Sequence, residues 1–355
     1  MNIPEIAIEG LRIGPEQRPF IIAEMSGNHN GSLDRALAIV DAAAKAGAQA
    51  IKIQTYTADT MTLDLKEGPF YIDDPDSLWK GHSLYELYQK AYTPWEWHGA
   101  IFDRCRKKGV LCFSTPFDAT AVDFLETFNV PLYKIASFEN IDIPLIRKVA
   151  STGKPLIIST GMATLDELKE TVEAARQAGC RDLILLKCAS AYPAPPESIN
   201  LMTIPDLQRL FQCQVGLSDH TLGIGISLAS VALGASVIER HVTLDRHDGG
   251  VDSTFSLEPA ELSQLVSESA RVWKSKGNPS YGPTPEEKGS LRFRRSLYIA
   301  KDMKALDILT PENLRAVRPG FGLPPKYYEQ LLGKRIRKDA KKGTPVQWDL
   351  VETQS

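Results

Sequence analysis

Eight short apolar runs rich in Val, Ile and Leu, each followed by a helix-like stretch, constrain the fold more than any other feature of this chain. They lie at 20–25, 50–56, 110–117, 132–137, 155–160, 183–190, 214–220 and 237–243. Glycine closes most of the intervening helical patterns: RCRKKG before the third run, RQAGC before the sixth, ALGAS before the eighth. The first helical stretch, SLDRALAIVDAAAKAGA, opens on Ser32 as N-cap. It spaces Leu33, Ala36, Leu37, Val40 and Ala44 near a helical period and stops at Gly47. Continuously apolar strands alternating with helices describe a parallel sheet buried on both faces. Eight such units, complete by about residue 275, predict a (β/α)₈ TIM barrel. An open doubly wound sheet is the alternative, but the glycine-rich dinucleotide fingerprint after the first strand is absent.

Composition removes several classes. Apolar residues make up 43% and charged residues 24%, which excludes wholesale disorder. A net charge of −3 provides no basic field for nucleic acid, so no nucleic-acid partner is expected. Cysteines 105, 112, 180, 188 and 213 form no CxxC and suit buried thiols in a reducing cytosol. No apolar run is long enough to span a membrane, and MNIPEIAIEGLRIG lacks signal-peptide character. A cytoplasmic protein with no membrane partner is expected.

Five segments follow. The barrel should occupy 1–280, with an N-terminal hairpin at 1–15 that plugs its bottom. The stretch at about 57–93 is too long for an ordinary connection and should cap the top as a lid carrying Phe70, Tyr71, Trp79, Tyr85, Tyr88 and Tyr92. The segment 281–290 is rich in Gly, Pro and Ser and should be a linker, and 291–355 a small domain of short strands and turns.

In such a barrel, chemistry sits at the carboxyl ends of the strands. Those ends carry Glu24, Lys52, Gln54, Lys134, Ser137, Ser159, Lys187, Ser190, Ser218, Asp219, His220, Glu239 and His241, with Glu139, Tyr192 and Asp252 in the loops beyond. Alternation puts Lys52 and Gln54 on one strand face, and Glu239 and His241 likewise. His220 and His241 end adjacent strands and suit a divalent ion completed by substrate oxygen; capping of their own strands is the bland alternative. Lys52 and Lys134 suit a phosphorylated, carboxylated substrate, with serine hydroxyls adding donors. They also suit ion pairs with Glu24 or Glu239. Schiff-base chemistry at a lysine, Lys187 included, is a further option. Glu24 and Asp252 suit sugar hydroxyls. Glu139 suits acid–base work, or simply the N-terminal turn of a helix.

Taken together, IIAEMSGNHNGSLDRA (21–36), AIKIQTYTADTMT (50–62), STPFD (114–118), KIAS (134–137), STGMAT (159–164), GLSDHTLGIG (216–225) and VIERHVTLDR (237–246) resemble the sialic acid synthase family. RRSLYIA and VRPGFG near the C-terminus resemble its β-clip-like SAF, or antifreeze-like, domain. The resemblance covers nearly the whole chain in order. It implies a PEP-dependent transferase that joins phosphoenolpyruvate to an N-acetylated amino sugar, using a divalent metal, in a domain-swapped homodimer. It makes His220 and His241 the metal ligands, with manganese first and magnesium or cobalt as alternatives. Lys52, Lys134, Ser137, Ser159, Ser190 and Ser218 fall where the family holds phosphoenolpyruvate. Glu24, Gln54, Tyr192 and Asp252 fall near the sugar, and Arg318 matches an arginine offered by the partner's SAF domain. SLYELYQKAYTPWEW (83–97), FDATAVDFLE (117–126) and SAYPAPP (190–196) resemble the branch that takes 2,4-diacetamido-2,4,6-trideoxy-L-altrose. Ser190 stands where several N-acetylmannosamine-using members have asparagine. N-acetylneuraminate and legionaminate synthesis are the alternatives within the family. Outside it, the alternatives are a metal hydrolase and a carbohydrate-binding protein acting through its C-terminal domain.

Overall fold

The computed structural model describes residues 3–75, 77 and 79–352. Two short strands, β1 (Ile6–Ile8) and β2 (Leu11–Ile13), pair antiparallel around Glu9 and Gly10, both at positive φ as a tight hairpin turn requires. Eight parallel strands then close a barrel. They are β3 (Phe20–Glu24), β4 (Ala50–Thr55), β5 (Leu111–Pro116), β6 (Tyr133–Ile135), β7 (Leu156–Ser159), β8 (Leu183–Cys188), β9 (Gln214–Asp219) and β10 (Val237–His241). Closure is the β10–β3 seam, from Val237 opposite Phe20 to His241 opposite Glu24.

Each strand is followed by its helix: α1 (Leu33–Ala46) after β3, then, past the lid helices α2 (Ala58–Met61) and α3 (Leu84–Ala91), α4 (His98–Lys108), α5 (Ala119–Glu126), α6 (Ile143–Ala150), α7 (Leu165–Gln177), α8 (Thr203–Phe211), α9 (Gly225–Ala232) and α10 (Pro259–Ser275). The local signals work as their chemistry dictates. The Ser32 hydroxyl accepts from the Arg35 amide, and Gly47, at φ 92°, ends α1 in the left-handed conformation.

Alternation along the strands builds two cores. Outward residues such as Ile21, Ile51, Ile53, Tyr133, Ile135 and Ile158 pack under the helices. Inward residues at the lower end, Phe20, Ile22, Ala50, Phe113, Ile157, Ile184, Leu186 and Val237, pack on one another and on Ile6, Ile8 and Ile13 of the hairpin. The hairpin therefore stoppers the barrel's amino end. The Gln214 amide reinforces it by donating to the Pro4 carbonyl at 2.8 Å. Inward-facing Gly216 is required there: a Cβ would lie 2.3 Å from the Val237 carbonyl oxygen.

The chain divides into two compact units, Met1–Gly277 and Asn278–Ser355. The second pairs β11 (Ser296–Ile299) with β12 (Leu314–Val317) antiparallel, over a core that includes Leu297, Leu309, Leu314, Leu331, Ile336 and Val346. All five cysteines are free and buried. Among the described residues, no helix is long and apolar enough to cross a membrane.

Candidate active site

Moving up the barrel interior, the inward positions change from apolar to charged. On β3, Phe20 and Ile22 give way to Glu24; on β4, Ala50 gives way to Lys52 and Gln54; on β10, Val237 gives way to Glu239 and His241. All of these upper residues except Glu24, which is wholly buried against Lys52, line a cavity of about 290 Å³, near the lower end of ordinary ligand pockets. Its floor and walls bring together Lys52, Gln54, Lys134, Ser137, Glu139, Ser159, Tyr192, Ser218, His220, His241 and Asp252.

The lysines are buried and paired. Lys52 Nζ lies 2.7 Å from Glu24 Oε2 and 3.6 Å from Glu239 Oε1, and donates to the Thr115 hydroxyl at 3.1 Å. Lys134 Nζ donates to the Ser159 hydroxyl at 2.7 Å and sits 4.0 Å from Glu239 Oε1. The ion-pair expectation and the ligand-cation expectation thus describe the same side chains. Burial disfavours the Lys52 ammonium, but Glu239 and Glu24 outweigh it and raise its pKa. For Lys134, burial wins over the pull of Glu239 and the pKa falls. Burial would raise the Glu239 carboxyl, but Lys134 and Lys52 hold it down. Glu24, wholly buried, is raised by burial despite Lys52. Two cations packed into an apolar barrel persist because two carboxylates neutralise them.

Around this cluster, Gln54 Nε2 donates to Glu24 Oε1 at 3.1 Å and to the Ser26 hydroxyl at 3.2 Å, and Ser26 donates to Asp252 Oδ2. Ser218 donates to Glu239 at 3.1 Å. Ser190 donates to Ser137 at 2.8 Å, so it supports the lining as a partner of Ser137. Tyr192 stacks obliquely on His220, with ring centroids 4.6 Å apart. Glu139 lies in the loop before α6, whose N-cap is Asp142, so it does not serve as that helix's N-terminal acid. Its Oε2 has no partner, and burial pushes its pKa up to about 7 against the pull of Lys134.

His220 and His241 stand with ring centroids 5.3 Å apart. His220 Nδ1 faces the Ala189 carbonyl at 3.0 Å; a carbonyl only accepts, so Nδ1 holds a proton and, in the neutral ring, Nε2 carries the free lone pair. His241 Nδ1 is buried without a hydrogen-bond partner, 3.7 Å from Asp252 Oδ2. An orphaned ring nitrogen beside a second imidazole and a carboxylate is a donor set that fits a divalent cation. Among the described residues, no group of three or more His, Cys, Asp and Glu is arranged to hold a metal by protein ligands alone.

Lys187 is not among the residues that line the cavity. Lys187 Nζ donates to the Cys188 carbonyl at 2.9 Å, and alternation on β8 turns it away from the cavity that its neighbour Cys188 lines. Arg318 is exposed in the second unit, in the turn after β12. The lid divides likewise: Trp79 and Tyr88 line the cavity, whereas Tyr71 is exposed and Tyr85 binds Asp59 at 3.0 Å. Trp79 also ties the lid to the Asp252 loop, donating to the Val251 carbonyl at 3.0 Å. Tyr56 and Cys188 also line the cavity, outside the site residues expected from the sequence, and Glu239, expected as an ion-pair partner of the lysines, lines it with them. For Tyr56 and Cys188 the alternation that marked Lys52 and His241 carried the signal.

The NeuB family matches residues 39–281, and the SAF domain matches 294–352. The pseudaminic acid synthase of Campylobacter jejuni subsp. jejuni serotype O:23/36 (strain 81-176) is 45% identical over 328 residues, covering 92% of this chain and 95% of that one. The pseudaminic acid synthase of Helicobacter pylori is 42% identical over 338 residues, covering 95% and 98%. The crystal structure of the N-acetylneuraminic acid synthetase of Leptospira borgpetersenii serovar Hardjo-bovis, in complex with citrate, superposes with a TM-score of 0.73 at 34% identity, covering 82% of this chain and 96% of that one. With its closed eight-stranded barrel followed in sequence by a SAF domain, the chain belongs to the NeuB family of sialic acid synthases and is an enzyme, a transferase of the carbon–carbon bond-forming kind.

Proposed function

We propose that the chain condenses phosphoenolpyruvate with 2,4-diacetamido-2,4,6-trideoxy-L-altrose and water to give pseudaminic acid and phosphate. The observation that carries this reading is the pair of buried lysines, Lys52 and Lys134, held at the cavity floor beside serine hydroxyls. Their charge and the neighbouring hydroxyls suit an anion bearing both a phosphate and a carboxylate. The identity of 42–45% to pseudaminic acid synthases favours the altrose-type sugar.

The third carbon of phosphoenolpyruvate attacks the aldehyde carbon of the open-chain sugar. Positive, oxocarbenium-like character develops at the second carbon, water adds there, and the tetrahedral adduct expels phosphate with C–O cleavage. Lys52 and Lys134 hold the phosphate and carboxylate by charge and position, with no covalent bond. Ser137, Ser159, Ser190 and Ser218 add or support hydroxyl donors. Glu139 accepts the proton of the attacking water. Gln54, Tyr192 and Asp252 hold the sugar, and Glu24 supports them by accepting from the Gln54 amide. His220 and His241 would hold a divalent ion, manganese before magnesium or cobalt, which when bound supplies Lewis-acid polarisation of the aldehyde oxygen. Arg318 of a second copy, in a domain-swapped homodimer working in the cytosol, would bind the sugar's N-acetyl group.

Phosphate release from phosphoenolpyruvate tests the reading, with the altrose-type sugar, the mannose-type diacetamido sugar and N-acetylmannosamine compared, each with and without EDTA. Release with the altrose-type sugar, lost with EDTA and restored by Mn²⁺, is expected. Preference for another sugar moves the enzyme to another branch, and no release with any of them refutes the chemistry.

A further inference from the structure

We propose that the buried ion pair between Asp219 and Arg240, which no step above uses, is the positioning device that sets His220 and His241 against each other. The inference rests on the metal-holding role given to those histidines. Both strand ends alternate. Ser218 and His220 line the cavity with Asp219 between them facing outward, and Glu239 and His241 line it with Arg240 between them. Asp219 and Arg240 are register partners across β9 and β10, at the level of the imidazoles.

Arg240 Nη1 lies 2.7 Å from Asp219 Oδ2, and both side chains are fully buried. The other arm of the fork, Nη2, donates to the Thr221 carbonyl at 2.8 Å. One side chain of β10 thus grips the residues on either side of His220. Asp219 Oδ1 accepts from the Thr221 amide at 2.9 Å and from its hydroxyl at 2.7 Å, while Ser227 in α9 donates to Oδ2. With His220 Nδ1 on the Ala189 carbonyl, both the backbone and the ring of His220 are fixed relative to the strand that carries His241.

Stability is a poor reason for this arrangement. A buried ion pair seldom outperforms well-packed apolar residues of the same size, because desolvation consumes the Coulombic gain. Arg240 Nε is buried without a partner, which adds to the cost. Geometry is what the pair supplies: a planar fork fixes both distance and direction, and a ligand set needs both.

The test uses the full-length protein, Mn²⁺ alone as the probe, and the EPR signal of free Mn²⁺ as the readout. The double variant D219N/R240M removes both charges, so neither is stranded. It is expected to melt cooperatively and to bind phosphoenolpyruvate like the wild type by thermal shift, while its Kd for Mn²⁺ rises at least about tenfold, the usual cost of losing an outer support of a metal ligand. R240K keeps the charge but loses the fork, and should fall between the two. Unchanged Mn²⁺ affinity in a folded double variant overturns the inference. If the double variant does not fold, wild-type affinity in R240K overturns it. A wild-type protein that binds no Mn²⁺ refutes the metal role itself, and H220A, which must lose binding if that role is right, separates the two failures.

Discussion

Replacing Glu139 with Gln perturbs one proton and little else. Burial raises this carboxyl from 4.5 to about 7, opposed by Lys134 and Lys52 and assisted by Asp142, with Tyr88 facing it from the lid. Between pH 4.5 and 7 the folded carboxyl keeps a proton that the unfolded chain releases. Stability therefore falls as pH rises through that window, by about 1.4 kcal/mol per pH unit and about 3 kcal/mol in all as an upper bound. Partial solvent contact reduces the working figure to roughly 2 kcal/mol. Glutamine carries no such penalty, so E139Q should be the more stable protein above pH 7, and the advantage should vanish near pH 4; urea melts across pH 4–8 measure it. Activity should move the opposite way. If Glu139 accepts the water proton, kcat/KM for phosphoenolpyruvate climbs about tenfold from pH 6 to pH 8 as the carboxyl ionises. E139Q should lose that limb together with a factor of ~10²–10⁴ in kcat. A variant that keeps the rising limb, or one no more stable than wild type at pH 8, refutes the reasoning.

H220A and H241A should each abolish metal-dependent phosphate release while preserving a cooperative melt; full activity in either removes the ligand assignment. R318A should raise the KM for the sugar far more than that for phosphoenolpyruvate, and equal effects would end the role given to a second copy. K187M should leave turnover intact and borohydride should trap no adduct, because the Lys187 amine is turned out of the cavity and bound to a carbonyl at 2.9 Å. W79A cuts the tie to the Val251 carbonyl that steadies the loop of Asp252, and should raise the KM for the sugar by about tenfold, as expected for misplacing a positioning group.

The barrel was legible because its signal is repeated: eight apolar runs whose flanking glycines and caps agree with them leave little room for another fold. The site was legible for the same reason. Polar residues at alternate positions of otherwise apolar strands announce the inward face, and so Lys52 and Gln54, or Glu239 and His241, could be paired from spacing alone. Pairing across strands was not legible. That Lys52 sits between Glu24 and Glu239 depends on strands separated by long helices and closed by the β10–β3 seam. Ser190 shows the same limit, since its turn toward Ser137 is a property of two loops meeting. Lys187 shows the opposite error: it shares a strand end with Cys188, and only the parity of the strand separates them. For Asp219 and Arg240, sequence offers two charges next to two histidines and no hint that they face each other on the outer side.

The stoppering hairpin has a consequence in time. Ile6, Ile8 and Ile13 emerge from the ribosome early, yet the surface that receives them includes Ile184 and Val237, and Pro4 awaits Gln214, 210 residues later. At roughly 5–20 residues per second, that wait is about 10–40 s. Docking the hairpin across such a span before the intervening units fold would cost about 5 kcal/mol in loop closure, more than three isoleucines return while the floor is still half built. β1 and β2, made before every barrel strand, are thus among the last elements to be seated. Until then Ile6, Ile8 and Ile13 are apolar surface with nothing to cover it, a place where a chaperone could bind.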